Sequence, residues 1–103
     1  MRQFDVYENP SQRSRRSIPY LMVLQSHFLE DTPTVIVAPL ISDGGRTAYT
    51  VASLRVDFND RRYALALAEL ANIERRTLTR TVGNLRQHED DIRRALERIF
   101  TGF

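Results

Sequence analysis

The sequence predicts a single α+β domain over residues 1–103, rich in β-strand and closed by one C-terminal α-helix. Three observations predict it. Period-two alternation or short β-branched runs fill most of the chain from Gln3 to Phe58. Apolar residues switch to helical spacing only near the end, at Leu85, Ile92, Leu96, Ile99 and Phe103. The length of 103 residues suits one core and is short for two.

The elements follow in order. Gln3 to Tyr7 alternates, with Phe4 and Val6 on one face and Gln3, Asp5 and Tyr7 on the other. Asn9-Pro10-Ser11-Gln12 breaks that strand and opens a loop. Tyr20 to Gln25 is a continuous apolar run of strand length. Thr34 to Leu40 is another strand, and Pro39 predicts that it stops there or lies at an edge, because proline cannot donate to a ladder. Ser42-Asp43-Gly44-Gly45-Arg46 is a turn signal. Ala48 to Phe58 alternates through Val51, Leu54, Val56 and Phe58, and Asn59-Asp60 follows as a hairpin turn. Arg61 to Leu70 has the alanine and leucine content of a helix. Tyr63, Leu65 and Leu67 nevertheless alternate after a hairpin signal, so it is read as a strand. Arg75 to Val82, with its threonines and valine, is read as the last strand, ended by Gly83. The helix then starts with Asn84 as its cap. Glu89, Asp90 and Asp91 early and Arg93, Arg94 and Arg98 late match the helix dipole, with Glu89–Arg93, Asp90–Arg94 and Arg93–Glu97 as i,i+4 pairs.

Composition narrows the function classes. The sequence has no cysteine, so it offers no disulfide and no thiolate nucleophile, and a reducing, cytoplasmic location is expected. Neither an apolar leader nor a membrane-spanning run is visible. All 15 basic residues are arginine, yet the net charge is only +2, weak for a nucleic-acid binder and compatible with an acidic protein partner. With two histidines, His27 and His88, and no cysteine, a zinc site has no support. Phosphate-binding glycine loops and a Gly-x-Ser-x-Gly elbow are absent, and no cofactor is expected.

Three constellations remain. His88 and Glu89 with nearby arginines have the residue types of a metal-free ribonuclease, although a solvated histidine in a first helical turn is the commoner case. Arg13-Ser14-Arg15-Arg16-Ser17 is a solvated loop, a docking site for an acidic peptide or a phosphate contact. Ile99, Phe100 and Phe103 crowd a chain end where polar, frayed residues are usual. They pack on the chain's own sheet or serve a partner or dimer contact.

Taken together, these residues resemble the CcdB family of toxins. Gln3-Phe4-Asp5-Val6-Tyr7 is similar to the family's first strand, and a loop with Ser14 and Arg15 follows. The best match runs from Val23 to Pro33, where Gln25-Ser26 and Asp31-Thr32-Pro33 are the specific parts. Val37-Ala38-Pro39-Leu40 is similar to the family's Val-Ile-Pro-Leu. Leu85, Glu89, Asp91-Ile92, Ala95, Phe100 and Gly102 match in register. The resemblance spans nearly the whole chain and is poor between Ile41 and Ala52.

The resemblance implies an SH3-like antiparallel barrel or sheet of the CcdB/MazF type. It implies a toxin, not an enzyme, that forms a homodimer and is neutralised by an antitoxin. The family's members bind the DNA gyrase A subunit and trap gyrase on cut DNA, without a sequence-specific DNA contact of their own. Their contact uses the helix end and a final Trp-Gly-Ile. Here Phe100 and Gly102 match, whereas Thr101 and Phe103 depart from the pattern. Phe28 and Leu29 match in kind the two apolar residues that follow Gln-Ser. The expected target surface is therefore Phe28, Leu29, Phe100, Thr101, Gly102 and Phe103, with Arg13, Arg15 and Arg16 facing an acidic antitoxin peptide. The alternatives are an endoribonuclease toxin of the same fold, since a fold does not fix a function, and an inactive homologue that still binds antitoxin.

Overall fold

The computed structural model describes residues 1–29, 31–42 and 53–102. Among these residues, seven strands form one antiparallel sheet: β1 (Asp5–Glu8), β2 (Tyr20–Val23), β3 (Thr34–Ser42), β4 (Ser53–Phe58), β5 (Arg61–Ala66), β6 (Ala71–Glu74) and β7 (Thr81–Asn84). Helix α1 (Glu89–Thr101) follows them. The strand order is β4-β5-β3-β2-β1-β7, with β6 pairing β3 as well. The sheet curls into a half-barrel, and α1 packs into it.

Both faces of the central strands are buried, which explains their unbroken apolar runs. Val6, Met22, Ala38 and Leu40 face the main core with Leu65, Leu67, Leu85, Ile92 and Ala95. Tyr7, Val23, Val35 and Val37 face a smaller cluster closed by Leu78, Met1, Leu21 and Ile73. Phe4 and Val6 do share a face, and the opposite face at Tyr7 is buried too. β1 begins at Asp5, because Phe4 takes a left-handed φ of 73° and Asp5 N–H bonds back to Arg2 O.

The Asn59-Asp60 hairpin is present, with φ of 51° and 63°, the left-handed pair that a two-residue loop requires. β5 is a strand as far as Ala66; Leu67–Glu69 then turns as a 3₁₀ helix, so the expected strand ends early. Tyr63, Leu65 and Leu67 nevertheless all reach the main core. Burial pushes the Tyr63 phenol above the ordinary tyrosine range, and the neighbouring Tyr20 adds to this.

Four expectations are corrected. β3 does not stop at Pro39 but runs on to Ser42. Its pairs with β6 end at Val37 and those with β5 begin at Leu40, so Pro39 sits where that side changes partner and no donor is needed. The stretch Arg75 to Val82 is not one strand: Arg75–Thr77 is a 3₁₀ turn, and β7 begins only at Thr81 and runs through Gly83 to Asn84. Helix α1 starts at Glu89 rather than after Asn84. Asn84 Oδ1 instead accepts from Arg86 N–H at 2.7 Å and opens a 3₁₀ turn, Arg86–His88, that leads into the helix. Finally, Arg94 pairs with Asp91 at 3.2 Å instead of Asp90, while Arg93 pairs with Glu89 at 2.7 Å as expected. The Gly44-Gly45 turn lies outside the described residues, as does the Ala48 to Ala52 part of the strand expected over Ala48 to Phe58, whose remainder is β4.

Gly83 shows how tightly the half-barrel closes. A Cβ there would fall 2.5 Å from Cε1 and 2.8 Å from Cζ of Phe58. That ring cannot retreat freely, because it is buried and meets Tyr20 edge-on at 5.1 Å. Gly83→Ala is expected to cost about 2 kcal/mol, as overpacked cores do. For a domain of this size that is roughly 10 °C in a thermal melt. An unchanged midpoint would show that the ring has room.

Candidate functional site

A helix shows one stripe at i, i+4, i+7 and i+11. On α1 that stripe is Glu89, Arg93, Leu96 and Phe100. It borders two depressions. A cleft of about 510 Å³ is lined by Glu89 and Arg93 together with Arg2, Phe4, Arg86 and the Ser26-His27-Phe28 segment. A groove of about 200 Å³ is lined by Leu24, Gln25, Ile36, Leu70, Leu96 and Phe100. The β2–β3 connection follows the same direction, with Leu24 and Gln25 at the groove and Ser26 to Phe28 at the cleft. The surface is thus basic at one end and apolar at the other.

Large apolar side chains on or beside it are exposed. Among the described residues, the exposed large hydrophobics are Phe28 at 86%, Phe100 at 70%, Leu29 at 56% and Ile36 at 37%. Three of them are site residues expected from the sequence. Phe28 and Leu29 sit on a 3₁₀ turn, His27–Leu29, and the His27 and Phe28 rings stack with centroids 4.7 Å apart. Phe28 borders the cleft and Phe100 the groove, so the two lie on different parts of the surface.

The helix end is closed by Gly102, whose φ of 80° is left-handed and whose N–H bonds to Arg98 O at 3.2 Å. Thr101 is exposed, and its hydroxyl donates to Glu97 O at 2.6 Å. Phe103 lies outside the described residues.

The arginine loop is organised from Asn9, the one buried polar residue among those described. Asn9 Nδ2 donates to Ser14 Oγ at 2.9 Å and Ile18 O at 2.7 Å, and Oδ1 accepts from Ser11 N–H at 3.0 Å. Arg15 Nε donates to Asn9 O at 2.9 Å, so this arginine serves the loop itself. Arg13 and Arg16 are exposed.

The cleft contains residues that sequence reasoning missed. Arg2, His27, Arg86 and Arg93 converge there from four separate segments. His88 is not among the cleft residues; its Nε2 lies 3.3 Å from Gln87 Nε2. Glu89 faces the cleft, but its carboxylate is engaged by Arg93. Among the described residues, no three His, Cys, Asp or Glu side chains come together to hold a metal. No helix there is long and apolar enough to cross a membrane.

The model of the CcdB protein family matches residues 3–102 of the chain. No curated protein matches it.

Proposed function

The chain belongs to the CcdB family, and from that premise we propose that it is a toxin that binds the DNA gyrase A subunit and traps gyrase on cut DNA. Membership itself places it among the toxins of toxin–antitoxin pairs. The observation that carries the gyrase reading is the exposure of Phe28, Leu29 and Phe100, three of the six residues that the family resemblance assigns to the target. Large apolar side chains left open in a small domain mark an interaction surface. The toxin acts as a C2 homodimer in the cytoplasm, takes no cofactor and catalyses no reaction. It inserts as a wedge, so its work is binding.

The test is gyrase with supercoiled plasmid and the purified chain. Trapped complexes release linear DNA on denaturation, and a cognate acidic antitoxin prevents it. No linear DNA at any toxin concentration would remove gyrase as the target. A monomer by sedimentation at tens of micromolar would remove the dimer.

The antitoxin reading places an acidic peptide, ordered on binding, against the Arg13 to Arg16 loop. Because Arg15 holds the loop together, the informative variant is Arg13→Glu with Arg16→Glu. It is expected to weaken antitoxin binding about tenfold and to flatten its salt dependence. Unchanged affinity in that variant removes the loop from the contact.

A second reading rests on one arrangement. His27, Glu89, Arg2, Arg86 and Arg93 share a cleft, and a ribonuclease needs an acid, a base and cations near a phosphate. Cutting of RNA without metal, lost in both His27→Ala and Glu89→Gln, would move the function there.

A further inference from the structure

The His27–Leu29 turn has no buried residue. Its apolar side chains point outward, so hydrophobic burial does little to hold it. Among the described residues, its own backbone bonds are Leu29 N–H to Ser26 O at 3.0 Å and Thr32 N–H to Leu29 O at 3.4 Å. Something else must keep Phe28 and Leu29 on display.

Two long polar side chains reach the same two acceptors. Gln25 Nε2 lies 3.0 Å from Leu29 O and 2.9 Å from Thr32 Oγ1. Arg75, 43 residues beyond Thr32, donates through Nη2 to Leu29 O and to Thr32 Oγ1, both at 3.2 Å. Arg75 Nε adds a bond to Thr32 O at 2.8 Å, and Nη1 meets Met1 Sδ at 3.0 Å. With its oxygen accepting from both side chains, Thr32 gives its own proton to Thr34 O, the nearer carbonyl at 2.7 Å.

The backbone delivers Arg75 to this place. β6 pairs with β3 as far as Thr34↔Glu74, and Arg75 N–H continues the contact to Pro33 O at 2.9 Å. The nearest carboxylate in sequence does not compete, because Glu74 is engaged by Arg76 at 2.9 Å. The planar guanidinium can serve several acceptors at fixed angles, which a lysine cannot.

We propose that Arg75 is a positioning residue for the target surface: its guanidinium locks the turn that presents Phe28 and Leu29. This rests on the reading of that turn as a target contact, and it adds a residue remote in sequence that touches no target itself.

The test has two independent arms. The first is native-state cleavage by chymotrypsin after Phe28 and Leu29, which reports the order of the turn without any target. The second is the concentration giving half-maximal gyrase trapping. Arg75→Met is expected to speed cleavage at the turn at least tenfold and to raise the trapping concentration at least tenfold, with a cooperative melt retained. Arg75→Lys is expected to fall between Arg75→Met and the unaltered chain in both arms. If Arg75→Met does not fold, Thr32→Val removes the hydroxyl, one of the two shared acceptors, and is expected to shift both arms in the same direction. Unchanged cleavage in the folded variants overturns the proposal. So does faster cleavage with unchanged trapping, because the turn would then be ordered for some other purpose. If the unaltered chain traps no gyrase, the gyrase reading fails, and the cleavage arm alone decides whether Arg75 locks the turn.

Discussion

Phe28→Ala combined with Phe100→Ala is expected to raise the concentration for half-maximal gyrase trapping on the order of 1000-fold, with the fold intact. The magnitude follows from two aromatic anchors at about 2 kcal/mol each, with every 1.4 kcal/mol worth about tenfold. The fold should survive because the side chains are 86% and 70% exposed, so little buried area is lost with them. The two line different depressions, the basic cleft and the apolar groove, so their effects should be close to additive. Each single variant should then lose roughly 30-fold. A drop of less than threefold in the double variant, at an unchanged melting midpoint, would show that these rings face solvent for another reason.

That surface was half legible in the sequence. Phe28, Leu29 and Phe100 could be named because each sits in a stretch with its own signal: the Gln25-Ser26 and Asp31-Thr32-Pro33 segment, and the apolar chain end. The stripe of Glu89, Arg93, Leu96 and Phe100 was also available from helical spacing. The basic cleft was not. Positions 2, 27, 86 and 93 have no periodic relation, and only the order β2-β1-β7 brings their segments together. Arg75 was hidden for the same reason, since its partners lie 43 and 46 residues away.

The fold divides along the same line. The Asn59-Asp60 hairpin and the core positions of β5 follow from local chemistry that tertiary packing did not override. Strand β6 was missed because only Ile73 in Ala71–Glu74 carries an apolar signal; the strand forms by pairing with β3 over the smaller cluster. Threonines and a valine made Arg75 to Val82 look extended. The bond from Arg75 N–H to Pro33 O and the clamp on Thr32 turn that stretch instead. The helix starts four residues later than Asn84 suggests, because the Asn84 side chain accepts from Arg86 N–H just ahead of α1, at the start of a 3₁₀ turn whose own cap position is Leu85.

Thr101→Trp is expected to make the chain a stronger gyrase poison, by about 30-fold in half-maximal trapping. The family resemblance places a tryptophan at this position, and a buried indole is worth about 2 kcal/mol or more at an interface. The native threonine offers the target little, because its hydroxyl is turned back to Glu97 O at 2.6 Å. Breaking that bond should cost the helix little, since such i−4 bonds slightly weaken a helix rather than build it. The position is exposed, so among the described residues nothing encloses an indole placed there. Gly102, which closes the helix with its left-handed φ of 80°, is unchanged in the variant. A chain ending at Phe100 is the companion. It lacks the position altogether and is expected to trap at least tenfold less than the unaltered chain, while melting at a similar temperature. Equal trapping by the shortened and unaltered chains would mean that the tail makes no contact with gyrase. A tryptophan variant that traps no better, at equal stability, would mean that the indole finds no pocket there, and that Phe28 and Phe100 carry the contact without it.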